Sequence, residues 1–122
     1  MKVETISESV TTLAEVGFKN IELSGGTKYY TNYENDLLRL QDKYALNYQV
    51  HNYFPPSKKS FVLNLASMDD EICGQSIQLC KRAIRLSKKL GGMRYGVHAG
   101  FLIDIKPQEG GKKIGYRQLS DR

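Results

Sequence analysis

Apolar residues recur along this chain at two spacings, and the two alternate. From Ile6 to Val16 they fall at Ile6, Val10, Leu13, Ala14 and Val16, close to the 3.6-residue period of a helix. Thr5 or Ser7 can cap that helix and Gly17 can end it. Phe18–Leu23 then reads as a short strand running into Ser24-Gly25-Gly26. A second unit follows, with Tyr33, Leu37, Leu38, Leu40 and Tyr44 at helical spacing and a strand from Leu46 to His51. The third is longest. Asp69 or Asp70 can cap a helix carrying Ile72, Cys73, Ile77, Cys80, Ala83, Ile84 and Leu90, Gly91-Gly92 stops it, and a strand ends at His98.

Helix alternating with strand, without a hairpin signal, predicts an α/β fold of parallel strands joined by crossovers. The strand ends fall at Glu22, His51 and His98, and a parallel order places all three on one edge of the sheet. An insert from Asn52 to Met68 separates the second and third units. Its Phe61-Val62-Leu63-Asn64-Leu65 is strand-like by composition, but it follows Pro55-Pro56 and leads straight into a helix, so it can equally be a loop against the strand ends. The organisation expected is one domain over residues 1–105 and a basic, glycine-containing tail over 106–122.

Composition narrows the class. At 122 residues the chain can bury a modest core, and its 25% charged and 40% hydrophobic content is that of a globular protein. No apolar run approaches the roughly 18 residues of a membrane span, and the first residues lack the apolar core of a signal peptide. Cys73 and Cys80 sit seven apart on one helical face, about 10 Å apart at the helix rise and too far for a disulfide. Both are expected to be buried thiols of a reduced, cytoplasmic protein. The net charge of +5 is uneven, with Lys106, Lys112, Lys113, Arg117 and Arg122 against Glu109 and Asp121 near the C-terminus. Such a tail can meet phosphate groups, or simply be solvated.

The chemistry concentrates at the strand ends. His51 and His98 are the only histidines, and strand carboxyl ends are where function collects in parallel α/β folds. Each is equally compatible with a rim histidine satisfied by backbone groups. Ser24-Gly25-Gly26 can present amides to a phosphate or be an ordinary turn. Tyr29, Tyr30, Tyr33, Tyr53, Phe54 and Phe61 can stack on a sugar or base, or shield the sheet end. Lys58-Lys59 reads as a solvated loop. No serine lies in an elbow motif and neither cysteine neighbours a histidine, so no nucleophile–base arrangement is visible.

Three motifs in order resemble one family. Gly17-Phe18-Lys19-Asn20-Ile21-Glu22-Leu23-Ser24-Gly25-Gly26, then His51-Asn52-Tyr53 with Leu63-Asn64-Leu65-Ala66-Ser67, then Val97-His98-Ala99-Gly100-Phe101 are similar to the xylose-isomerase-like TIM barrels. That superfamily holds sugar-phosphate isomerases and epimerases as well as AP-endonuclease-type repair enzymes. The resemblance implies a partial TIM barrel of about three parallel strands with flanking helices, because an eight-stranded barrel takes about 250 residues. The first helix begins within a few residues of Met1, which leaves no room for a full first strand. The expectation is therefore a truncated product, a segment cut deliberately or a proteolytic remnant.

The resemblance also implies a divalent metal (zinc, manganese or magnesium) at the barrel mouth. In the endonuclease branch the histidines matching His51 and His98 are metal ligands, so these two are the implied ligands here. Glu22, Asn52, Tyr53 and Lys106 are the implied substrate-binding residues. The family's carboxylate ligands come mainly from later strands, so the active site is expected to be incomplete and the chain inactive alone. The implied function is that of a sugar-phosphate isomerase or epimerase, with AP-endonuclease-like phosphodiesterase and a non-catalytic self-associating fragment as alternatives. The expected partner is a small phosphorylated sugar. Tight DNA binding is not expected, since Lys28, Lys58, Lys59 and Lys106 near the rim form no arginine cluster. A sheet cut from a barrel has bare edges and uncovered apolar faces, which predicts a homo-oligomer.

Overall fold

The first and third helices begin and end at capping residues. In the computed structural model, which describes residues 3–109, α1 spans Ile6–Val16. Thr5 caps it in a reciprocal box: its hydroxyl accepts from the Glu8 amide at 3.3 Å while the Glu8 carboxylate accepts from the Thr5 amide at 2.8 Å. Gly17 closes it at φ 109°, and the Gly17 and Phe18 amides return to the carbonyls of Ala14 and Leu13. Strand β1 (Asn20–Leu23) follows, then α2 (Tyr33–Tyr44), β2 (Asn47–His51), α3 (Asp70–Lys89) and β3 (Tyr95–Gly96), with a 3-10 turn at Pro107–Glu109. Asp69 is the cap of α3, its carboxylate accepting from the Glu71 and Ile72 amides at 2.8 and 3.3 Å. Gly91 stops that helix at φ 78°.

The sheet has the order β1-β2-β3 and every pairing is parallel, with α2 and α3 as the crossovers. The α/β class and the partial-barrel architecture expected from the sequence are those observed.

The described residues fall into two compact units. The first comprises residues up to Lys58 together with Leu79–Val97; the second comprises Lys59–Gln78 together with the chain from His98 onward. The first unit holds the sheet and an apolar core. Ile6, Val10 and Ala14 of α1, Leu37 and Leu40 of α2, and Ala83, Leu86 and Leu90 at the end of α3 form one buried cluster with Ile21, Leu23, Tyr48 and Val50 of the strands and with Phe54. At roughly 25 cal/mol per Å² of apolar surface removed from water, this cluster dominates the stability of the unit. Most of the 106–122 tail, including Lys112, Lys113, Arg117 and Arg122, lies outside the described residues.

Four expectations change. The strand expected to reach His98 stops at Gly96, because β2 pairs only Val50 with Tyr95 and His51 with Gly96. Beyond His51 the chain turns at Tyr53, where φ is +62°, so Val97 and His98 have no strand to pair with. Helix α3 buries Ser76, Leu79, Ala83 and Leu86, with Leu90 buried just past its end, and leaves Ile77 and Ile84 40% and 55% exposed. Two apolar stripes run side by side on this helix, and periodicity alone does not say which one the core takes. Cys73 and Cys80 are both free but only half-buried. Finally, the sheet face away from the core is polar rather than apolar. It carries Asn20 and Glu22 of β1 and Asn47, Gln49 and His51 of β2, the positions that alternate with the buried ones. The phrase Phe61–Leu65 forms no strand.

Candidate functional site

The polar face leads up to the strand ends. At its base the Asn47 amide group donates to Asn20 Oδ1 at 3.0 Å, and above it Gln49 donates to the Arg94 carbonyl at 2.9 Å. Register sets Glu22 beside Gln49, so His51 lies one pleat further toward the carboxyl edge on the same face. Its Nδ1 stands 3.3 Å from Glu22 Oε1. A carboxylate at that nitrogen favours the tautomer protonated on Nδ1. The pair is not sealed in. The side chains are 33% and 59% exposed, so solvent screens the attraction and their value lies in orientation rather than stability.

Gly96 makes room for the ring. A Cβ there would sit 2.5 Å from His51 Cδ2 and 3.3 Å from Nε2, so any other residue would displace the imidazole. The loops after β1 and β2 interlock around the pair. Ser24 Oγ donates to the Asn52 carbonyl at 3.1 Å, and a Cβ on Gly25 would stand 2.8 Å from Tyr53 Cβ. Tyr53 is half-buried at positive φ, and Asn52 is buried with its Oδ1 lacking a protein donor.

Of the residues expected from sequence, the structure thus brings Glu22, His51, Asn52 and Tyr53 together at the end of β1 and β2. His98 and Lys106 belong to the second unit, and both are exposed. The donor types at the Glu22–His51 pair suit a borderline divalent cation, but a metal centre uses three or four protein donors. Among the described residues there is no group of three or more His, Cys, Asp or Glu side chains placed to hold an ion. The number of donors does not fit a complete metal site.

Sequence reasoning missed a second polar cluster. In the second unit, Asn64 Nδ2 donates to Asp104 Oδ1 at 2.8 Å and Ser67 Oγ donates to the other oxygen at 2.8 Å. Asn64 Oδ1 accepts from the Ala66 and Phe101 amides at 3.1 and 3.0 Å, and its own amide donates to Ser76 Oγ at 2.9 Å. The signal available was Asp104, the single carboxylate inside the apolar run Phe101-Leu102-Ile103-Asp104-Ile105. A lone acid in such a run needs a nearby donor set. No helix among the described residues is long and apolar enough to cross a membrane.

Comparison with known proteins agrees with this architecture. No curated protein matches the chain. A family model, the xylose isomerase-like TIM barrel, matches residues 10–122. That span takes in all three parallel strands, the Glu22–His51 pair and the Asn64 loop, and on it the chain belongs to the xylose isomerase-like TIM barrel family.

Proposed function

We propose that this chain carries part of the ligand-binding rim of a sugar-phosphate isomerase or epimerase, acting on a small phosphorylated sugar with the help of a divalent metal. The observation that supports the reading is the Glu22–His51 pair, oriented on the polar sheet face at the ends of adjacent parallel strands. In this reading Glu22 holds the imidazole in one tautomer, Gly96 lets it lie flat against β3, and the interlocked Ser24 and Asn52 loops hold the rim in place. A divalent ion, when bound, polarises a carbonyl oxygen and eases removal of the neighbouring proton. Glu22 and His51 are two of the donors such an ion needs; His98, the other histidine of the motif match, belongs to the second unit. The remainder must come from outside the described residues, so this chain alone is expected to bind metal weakly and to turn over no substrate.

The test is calorimetry of the full chain with manganese or zinc, and separately with a phosphorylated sugar. Parent protein is expected to bind the ion weakly, and His51→Ala or Glu22→Gln to weaken that binding by about tenfold. Identical isotherms for parent and both variants would sink the assignment. Submicromolar, salt-sensitive binding to abasic-site DNA would favour the phosphodiesterase alternative instead.

A further inference from the structure

On the helix side of the first unit, away from the polar sheet face, a cavity of about 340 Å³ opens between α2, α3 and the segment that follows β2. Tyr29, Tyr33 and Pro55 form its apolar walls, and Ser57, Lys58 and Arg82 bring polar groups to it. All of these residues belong to the first unit. The walls are fixed. Tyr33 meets the fully buried Phe54 edge-on at 6.0 Å between centroids and leans against Tyr29 at 6.4 Å. Lys58 Nζ stands 5.6 Å above the Tyr29 ring, a cation–π distance, and Arg82 lines the same cavity.

Two cations lie on one cavity, and neither has a carboxylate partner among the described residues. An acid touches the cavity wall: the Glu34 carboxylate accepts from the Tyr33 hydroxyl at 3.4 Å and is paired with Lys89 at 2.8 Å. A site with two cations and aromatic walls selects an oxyanion joined to an apolar or ring-shaped body. Its volume exceeds what a bare oxyanion fills and lies at the small end of ligand cavities, about 300–1,000 Å³.

We propose that this cavity is a binding site for a phosphate monoester, with Arg82 and Lys58 clamping the phosphate and Tyr29, Tyr33 and Pro55 receiving the organic group. The site is separate from the Glu22–His51 pair. Tyr33 and Arg82 stand on helices that cover the core face of the sheet, whereas Glu22 and His51 stand on the opposite face.

The experiment is amide NMR titration of the full chain with phenyl phosphate, inorganic phosphate and phenol, reading Ser57, Lys58 and the first turn of α2. Phenyl phosphate is expected to bind best, inorganic phosphate more weakly, and phenol not measurably. Arg82→Gln is expected to weaken phenyl phosphate by about tenfold, and Lys58→Gln by a smaller factor. Both side chains are exposed, so neither substitution threatens the fold. His51→Ala should leave the titration unchanged, which separates failure of this site from failure of the rim assignment. Phenol binding as well as phenyl phosphate would make the cavity an apolar crevice and overturn the proposal. So would shifts that Arg82→Gln and Lys58→Gln leave untouched.

Discussion

Two asparagines are buried in this molecule, one in each unit, and they are opposites. Asn64, in the second unit, is 1% exposed and all its side-chain atoms are engaged, linking Ala66, Phe101 and Asp104. Asn52, in the first unit, is 5% exposed and its Oδ1 takes no protein donor. The same residue type therefore serves two ends. Asn64 stands in for a core: of the many apolar residues described in the second unit only Leu63 and Ile103 are buried, and a satisfied polar network fixes its loops. Asn52 sits beside His51 in a unit that already has an apolar core, so its acceptor is not needed to hold the fold. An unsatisfied buried acceptor is costly, and where it persists at a rim it marks a place built for a donor from elsewhere.

That contrast can be broken at its strong end first. Asn64→Leu keeps volume but strands two backbone amides and takes one of the donors from the Asp104 carboxylate, and should cost about 3 kcal/mol. Hydrogen exchange is the measurement, with protection of the Ala66 and Phe101 amides lost while amides of β2 stay protected. Retained protection at those two amides would show that the network is decoration. Gly100 belongs to the same prediction, since a Cβ there would run into Asn64 Oδ1 and crowd the Ala66 amide at 3.2 Å.

An intermediate effect should separate the units by pH. Burial pushes the Tyr48 hydroxyl up to about 12, where it donates to the Leu37 carbonyl at 3.0 Å, and burial likewise pushes Tyr33 up to about 12. A tyrosine in the unfolded chain titrates near 10. Its folded form thus contributes stability that is intact below pH 10 and is lost as pH climbs toward 12. The first unit is expected to melt in that window, whereas the described part of the second unit contains no tyrosine. Tyr48→Phe should cost about 1 kcal/mol at neutral pH by removing the hydroxyl's bond to the Leu37 carbonyl, and should blunt the alkaline loss. Circular dichroism followed from pH 8 to 12 checks it. An alkaline transition unchanged by the substitution would remove Tyr48 from the account.

The smallest effect is the sharpest comparison. Asn52→Leu replaces an acceptor that has no protein partner, so stability in urea should change by less than about 0.5 kcal/mol. A loss comparable to that of Asn64→Leu would make the two asparagines alike.

What the sequence disclosed, and what it hid, follows the range of the interactions. Caps and stops are local, so Thr5, Gly17, Asp69 and Gly91 could be read directly. Parallel order followed from alternation, and with it the meeting of Glu22 and His51. His98 misled, because whether a strand continues depends on its neighbour, and β2 turns away at Tyr53. On α3 the choice between Ile77 with Ile84 and Leu79 with Leu86 is made by the partner surface, which no periodicity contains. The Asn64–Asp104 bond joins residues forty positions apart, and neither residue type announces the other. Lys58, which reads as a solvated loop lysine, gains its place only because Tyr29 lies beneath it.

The polar sheet face has a thermodynamic consequence. Parallel sheets are ordinarily covered on both sides, and their unfolding releases apolar surface twice over. Here Asn20, Glu22, Asn47, Gln49 and His51 already face water or each other, so melting the sheet hydrates new hydrocarbon on one side only. Heat capacity rises on unfolding mainly through newly wetted apolar area, whereas polar area lowers it. This sheet should therefore unfold with a smaller heat-capacity step than a two-sided one of equal length, and its stability should vary more gently with temperature.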